Sequence, residues 1–171
     1  MPLVDHFETF GLPRSWDVDK SDLERRYLEL SRAVHPDRFV DAAGAEKRIA
    51  MERAAAVNEG YRTLRDPVKR AEYLVLLGGI DLDSSDGDRG APKMDATFLA
   101  EMIERREELI EQRALGAAAL ERMREGVERS LADELEHGVD LLRAGDVLGA
   151  ARRLVARRYL QRLLEEIDAF G

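Results

Sequence analysis

The stretch "ELSRAVHPDRFVD", residues 29–41, begins as an amphipathic helix and then meets a proline followed by a charged pair. Pro36 has no N–H to give to a helix and disfavours helical backbone at the residue before it, so the helix must stop near His35. Upstream, Leu23, Tyr27, Leu30 and Val34 recur at spacings of four, three and four, which is one face of a helix. Asp19 is placed to cap it, with Asp22 in its first turn. Val34 is the last apolar residue of that face, so His35, Pro36 and Asp37 are expected at an exposed corner. Downstream, Ala50, Ala54, Val57, Tyr61 and Leu64 predict a longer helix from about Ala45 to Leu64. Helices of ~18 Å and ~30 Å joined by a short turn should form an antiparallel hairpin.

The flanks read the same way. A short helix is expected within "VDHFETFGLP" (4–13), ended by Gly11 and Pro13. In "RDPVKRAEYLVLLGG" (65–79), Asp66 serves as cap, Pro67 as first helical residue and Gly78 as stop. The clear break in the chain is "GGIDLDSSDGDRGAPKMD" (78–95), whose Gly, Asp, Ser and Pro content marks a connection. Beyond it Asp95 caps a helix over "TFLAEMIERREELIEQRA", and Gly116 marks a corner. A long helix from about Ala118 to Arg143 follows, with Leu120, Met123, Val127, Leu131, Leu135, Val139 and Leu142 near one face. Gly145-Asp146 then opens a last helix. The expectation is an all-α chain that ends in an up-down-up three-helix bundle.

Composition narrows the function. The chain has no cysteine, which removes disulfides, thiolate metal sites and cysteine nucleophiles. No apolar run nears the ~20 residues of a membrane span, and the N-terminal residues carry no leader pattern, so a cytoplasmic location is expected. The net charge is −8. Residues 1–80 hold 14 acids and 13 bases, whereas residues 81–171 hold 21 acids and 14 bases. Such a balance argues against nucleic acid as a partner, because phosphate binding needs a basic footprint.

Three roles are open to the tripeptide. A metal centre needs further ligands, and neither His6 nor His137 has a spacing that brings it to His35; no H-x-x-x-H pair exists. Acid–base chemistry needs a cleft that shifts a pKa, which an exposed corner lacks. Recognition by a partner fits best, with an ordinary helix stop as the bland reading.

The surroundings sharpen it. "LERRYLELSRAVHPDRF" followed by "VNEGYRTLRDPVKRAEYL" resembles a J domain, with a match over residues 3–77 that includes Asn58, Tyr61, Leu64, Asp66-Pro67 and Arg70-Ala71-Glu72-Tyr73. The resemblance implies that His35, Pro36 and Asp37 contact a DnaK-type chaperone and stimulate its ATPase. Asp37 is expected to face a chaperone arginine, and Arg25, Arg26, Arg32 and Arg38 are candidate rim charges. Gly60 stands where alanine is common; it weakens its helix by ~1 kcal/mol unless a close helix crossing needs it.

The chain lacks the Gly/Phe-rich linker and cysteine repeat of general-purpose J proteins. As a whole it resembles the HscB family of J-type co-chaperones in iron–sulfur cluster assembly. That implies a J domain over 1–77, a linker over 78–94 and a scaffold-binding bundle over 95–171. The partners implied are an HscA-like DnaK-type chaperone and an IscU-like scaffold protein, and the chain itself is expected to have no cofactor, no metal and no catalytic residue. Leu99, Ile103, Glu104, Glu107 and Glu111 share one side of a helix. In the family the positions of Leu99, Ala100, Ile103, Glu104, Glu107, Glu111 and Tyr159 contact the scaffold. Ala100 replaces a frequent methionine, and Tyr159 a phenylalanine. The competing readings are bundle core for Leu99 and Ile103 and a solvated face for the glutamates. At the level of the whole protein, the rivals are a J protein serving a general DnaK-type chaperone with another client, a metal hydrolase built on His35 and Asp37, and a purely structural helical protein.

Overall fold

A computed structural model describes residues 5–41 and 43–170, apart from the side chain of Pro36. Residues 3 and 4, where the expected match begins, lie outside the described residues. Among the described residues seven α-helices follow one another: α1 (His6–Thr9), α2 (Lys20–Ala33), α3 (Gly44–Arg65), α4 (Pro67–Leu77), α5 (Ala96–Leu115), α6 (Ala117–Arg143) and α7 (Val147–Asp168). Short 3-10 turns cover Pro36–Phe39 and Gly87–Arg89. The chain forms two compact units, Met1–Leu74 and Val75–Gly171. Among the described residues, no helix is long and apolar enough to cross a membrane.

In the first unit, α2 and α3 pair antiparallel. Val34 and Ala50 line one shared hollow and Leu23 and Arg65 another. Between these ends the rings of Tyr27 and Tyr61 stack with centroids 4.0 Å apart and planes 11° apart. The Tyr27 hydroxyl donates to Asn58 Oδ1 at 3.0 Å. Asp19 caps α2 by accepting from the Asp22 N–H, as its position predicts.

The short α1 packs on α3 at Gly60. A Cβ there would stand 2.9 Å from a ring carbon of Phe10 and 3.3 Å from His6 Nδ1. Gly60 therefore marks the close helix crossing, and its cost in helix propensity is the condition for seating Phe7 and Phe10, both buried. Asp5 caps α1 through the Phe7 N–H and is itself held by Arg14 Nε at 2.5 Å.

Arg70 of α4 is buried. Its Nε donates to the Leu64 carbonyl at 2.7 Å, its Nη1 donates to the Trp16 carbonyl, and the guanidinium lies 5.2 Å from the Trp16 ring centroid. One side chain thus ties the α3–α4 junction to the loop before α2. Burial holds its pKa below the usual guanidinium value, partly offset by Asp66 and Asp17.

In the second unit α6 and α7 pack along one another and α5 lies against both. The core includes Met102 and Leu109 from α5, Leu120, Val127 and Leu131 from α6, and Leu160, Leu163, Leu164 and Ile167 from α7. Gly116 makes the α5–α6 corner at φ +100°, a conformation open to glycine. Asp95 and Asp146 cap α5 and α7 through the N–H groups of Phe98 and Gly149. The segment 78–94, read from sequence as a connection, lies within this unit and is folded on itself. The Asp81 N–H donates to the Arg89 carbonyl, the Ala91 N–H donates to the Ser84 carbonyl, and Arg158 of α7 holds the Leu82 carbonyl and the Asp83 carboxylate, both at 2.9 Å.

Two outcomes follow. Arg70→Met should remove the buried donor to the Leu64 carbonyl and one of two donors to the Trp16 carbonyl, which keeps the Val18 N–H, and lower the stability of the first unit by about 1–3 kcal/mol, read by urea denaturation of the full chain; a loss below about 0.5 kcal/mol would contradict the assignment. His6 provides the second. Its imidazole is half-buried against Tyr73, with ring centroids 4.5 Å apart, and Nδ1 has no hydrogen-bond partner among the described residues. Burial lowers its pKa below the ordinary 6.5, against weaker opposing effects of Glu59 and Asp5. The unfolded chain then binds the proton more readily than the folded one. Stability is complete above pH 6.5 and is lost as pH falls through the lower folded value. Melting temperatures from pH 8 to pH 5 should show this loss, and His6→Gln should flatten it.

Candidate docking sites

The corner is built by its own backbone. α2 ends at Ala33 because Pro36 forces His35 out of helical geometry, to φ −59° and ψ 131°. The chain then tightens into the 3-10 turn, with His35 as its cap: the imidazole Nδ1 accepts from the Asp37 N–H at 3.3 Å. The accepting role of Nδ1 puts the ring proton on Nε2. Asp37 Oδ2 lies 3.5 Å from the same Nδ1, and the two side chains are 57% and 87% exposed. Phe39 is half-buried beside Val34 and Ala50, in a hollow of about 180 Å³ beneath the turn. His35 and Asp37 are therefore fixed at the root and open at the tip. The side chain of Pro36 lies outside the described part.

The arginines differ in their freedom. Arg25 pairs with Asp22 and Glu29, and together Arg25 and Arg26 hold the Asp22 carboxyl below the usual range. Arg26 also donates from Nη1 to the carbonyls of Phe10 and Gly11, at 2.9 and 3.1 Å. It braces the loop after α1, a task that sequence spacing could not reveal. Arg38 reaches back to the Arg32 carbonyl at 3.5 Å, while the Arg32 side chain is exposed on the last turn of α2. Among the described residues, no group of three or more His, Asp or Glu stands close enough to hold a metal ion.

On α5, Met102 and Leu109 take the core positions, while Leu99 and Ile103 remain 38% and 58% exposed. This disposes of the core reading for that pair. Ala100, Glu104, Glu107 and Glu111 are exposed on the same side. Tyr159 of α7 is half-buried against the core and meets Phe98 edge-on at 5.5 Å, with Arg162 5.5 Å from its centroid. Its ring edges the α5 face more than it projects from it. Ile110, which the sequence reading did not single out, is 72% exposed on the same helix, eleven residues from Leu99.

Residues 5–73 match the DnaJ domain family, which with the hairpin and its corner defines the class: a J-domain co-chaperone. Residues 94–168 match the family described as the HSCB C-terminal oligomerisation domain. The chain is 38% identical to the Co-chaperone protein HscB homolog of Aromatoleum aromaticum, over 96% of this chain and 92% of the relative. It is 37% identical to that of Bordetella avium, over 99% and 98%. Among solved structures, chaperone HscB from Vibrio cholerae superposes with a TM-score of 0.77 at 32% identity, covering 97% of this chain and 96% of that one. Human co-chaperone HscB gives 0.81 at 30%, covering 99% and 83%. The chain belongs to the HscB family.

Proposed function

We propose that this chain binds an IscU-type iron–sulfur scaffold through its C-terminal bundle and delivers it to an HscA-type, DnaK-like chaperone. There, His35, Pro36 and Asp37 promote ATP hydrolysis by the chaperone. The reading includes the cytoplasm as the place of action. The observation that carries it is the exposed Asp37 carboxylate, held at the corner by the 3-10 turn but left unburied. It offers a partner guanidinium a charged acceptor with little rearrangement. Arg25, Arg32 and Arg38 border the corner as rim charges, with Arg26 shared between rim and loop.

The second half of the mechanism uses the α5 face. Leu99, Ile103 and Ala100 offer an apolar start, and Glu104, Glu107 and Glu111 offer carboxylates to basic groups of the scaffold. Tyr159 adds an aromatic edge. Holding both partners on one chain raises the concentration of each near the other. The chain supplies contacts and no covalent chemistry; hydrolysis takes place in the chaperone.

Asp37→Asn should remove most of the stimulation in single-turnover ATPase assays with scaffold present, at a cost of about 2 kcal/mol or more, while scaffold affinity is unchanged. Persistent stimulation would sink the role given to the corner. Conversely, Leu99→Ala with Ile103→Ala should weaken scaffold binding by about 2 kcal/mol in calorimetry. Because both side chains are exposed, the melting temperature should hold. Unaltered affinity would count against the α5 face.

A further inference from the structure

Ile110 is more exposed than either anchor expected on α5: 72%, against 38% for Leu99 and 58% for Ile103. Eleven residues separate it from Leu99, close to three full turns at ~3.6 residues each. It therefore stands on the same line of the helix, ~16 Å further along the axis. Arg106, which falls between Ile103 and Ile110, is paired with Glu166 of α7 at 3.0 Å, so its charge is already answered within the bundle. Glu107 and Glu111 flank Ile110 as Glu104 flanks Ile103. Among the described residues, none of these three glutamates is engaged in an ion pair. The pattern of an apolar side chain beside an unpaired carboxylate thus repeats within the face that the sequence suggested, at a position between Glu107 and Glu111 that the periodicity reading left out. It ends where Arg113 lies over the Phe170 ring, 4.2 Å from its centroid, and Gly116 closes the helix.

We infer that Ile110 is a further anchor for the scaffold, so that apolar contact continues along three turns of α5 beside the carboxylates already assigned to that face. The inference rests on the reading of α5 as the scaffold-binding face. The occupant is set by charge as well as shape, since carboxylates free of internal partners favour a surface that brings its own cations.

The test is calorimetry of the full-length chain with a purified IscU-type scaffold. Ile110→Ala should weaken binding about five- to tenfold and leave the melting temperature nearly unchanged, because the residue is 72% exposed in the free protein. Ile110→Lys should weaken it further. If the Leu99/Ile103 double variant loses affinity while Ile110→Ala stays within about twofold, a change too small for an anchor, the added anchor is wrong and the face stands without Ile110. If the unaltered chain fails to bind the scaffold, the reading of α5 fails and the inference goes with it. Sedimentation of the same variants supplies the last outcome: dissociation of a self-associated form by Ile110→Ala, with scaffold affinity intact, would assign the position to a second copy of this chain and overturn the proposal.

Discussion

A single backbone constraint at His35-Pro36 organises the first unit. Proline cannot continue the hydrogen-bond ladder and keeps His35 at ψ 131°, so α2 stops at Ala33 and the chain can reverse into α3. Without that stop, His35, Pro36 and Asp37 would be spread around a helix at ~100° intervals. With it they are gathered in one 3-10 turn, and the imidazole caps the N–H of the aspartate. The return of α3 then allows the Tyr27–Tyr61 stack, and α3 in turn presents Gly60 to α1. The break that ends the helix also makes the proposed binding element.

Stability and recognition draw on different residues. The first unit is held by groups remote from the corner: Arg70 with its two carbonyls, Asp5 with Arg14, and the α1 contact at Gly60. His35 and Asp37 have few contacts to lose, so the turn can be selected for its partner with little effect on the fold. The same separation runs along α5, where Met102 and Leu109 face the core while Leu99, Ile103 and Ile110 face outward. A helix whose apolar residues point in two directions has more hydrophobic surface than its own unit can cover, which is the usual mark of a docking surface.

What the sequence made legible was local. Proline at 36, the caps at Asp19, Asp95 and Asp146, and the glycine corner at 116 act within three or four residues, so each could be read directly. Long-range demands were hidden. Arg26 bracing the carbonyls of Phe10 and Gly11, Arg70 reaching the Trp16 carbonyl, and Arg158 gripping the loop at Leu82 and Asp83 join residues 15 to 76 positions apart. Periodicity carries no information about such partners. On α5 the difficulty was different. Phe98, Leu99, Met102, Ile103, Leu109 and Ile110 cover so much of the helix that an apolar moment could not say which side was core, and only packing against α6 and α7 separated them.

The electrostatics of the two proposed sites imply different lifetimes for their complexes. On α2, Arg25 is already satisfied by Asp22 and Glu29, and Arg26 by Asp22 and two carbonyls, so much of the basic charge is answered locally. What remains at the corner is a small contact, centred on one carboxylate and one imidazole. Small interfaces with few buried anchors dissociate quickly. The α5 face joins an apolar ridge to carboxylates with no ion-pair partner among the described residues, within a half of the chain that carries 21 acids against 14 bases. Apolar burial slows dissociation, while the surplus of negative charge favours encounter with a basic surface. A held cargo at one end and a brief touch at the other is the order of affinities that the proposed delivery would require, since such a carrier must arrive loaded and leave the chaperone once hydrolysis has begun.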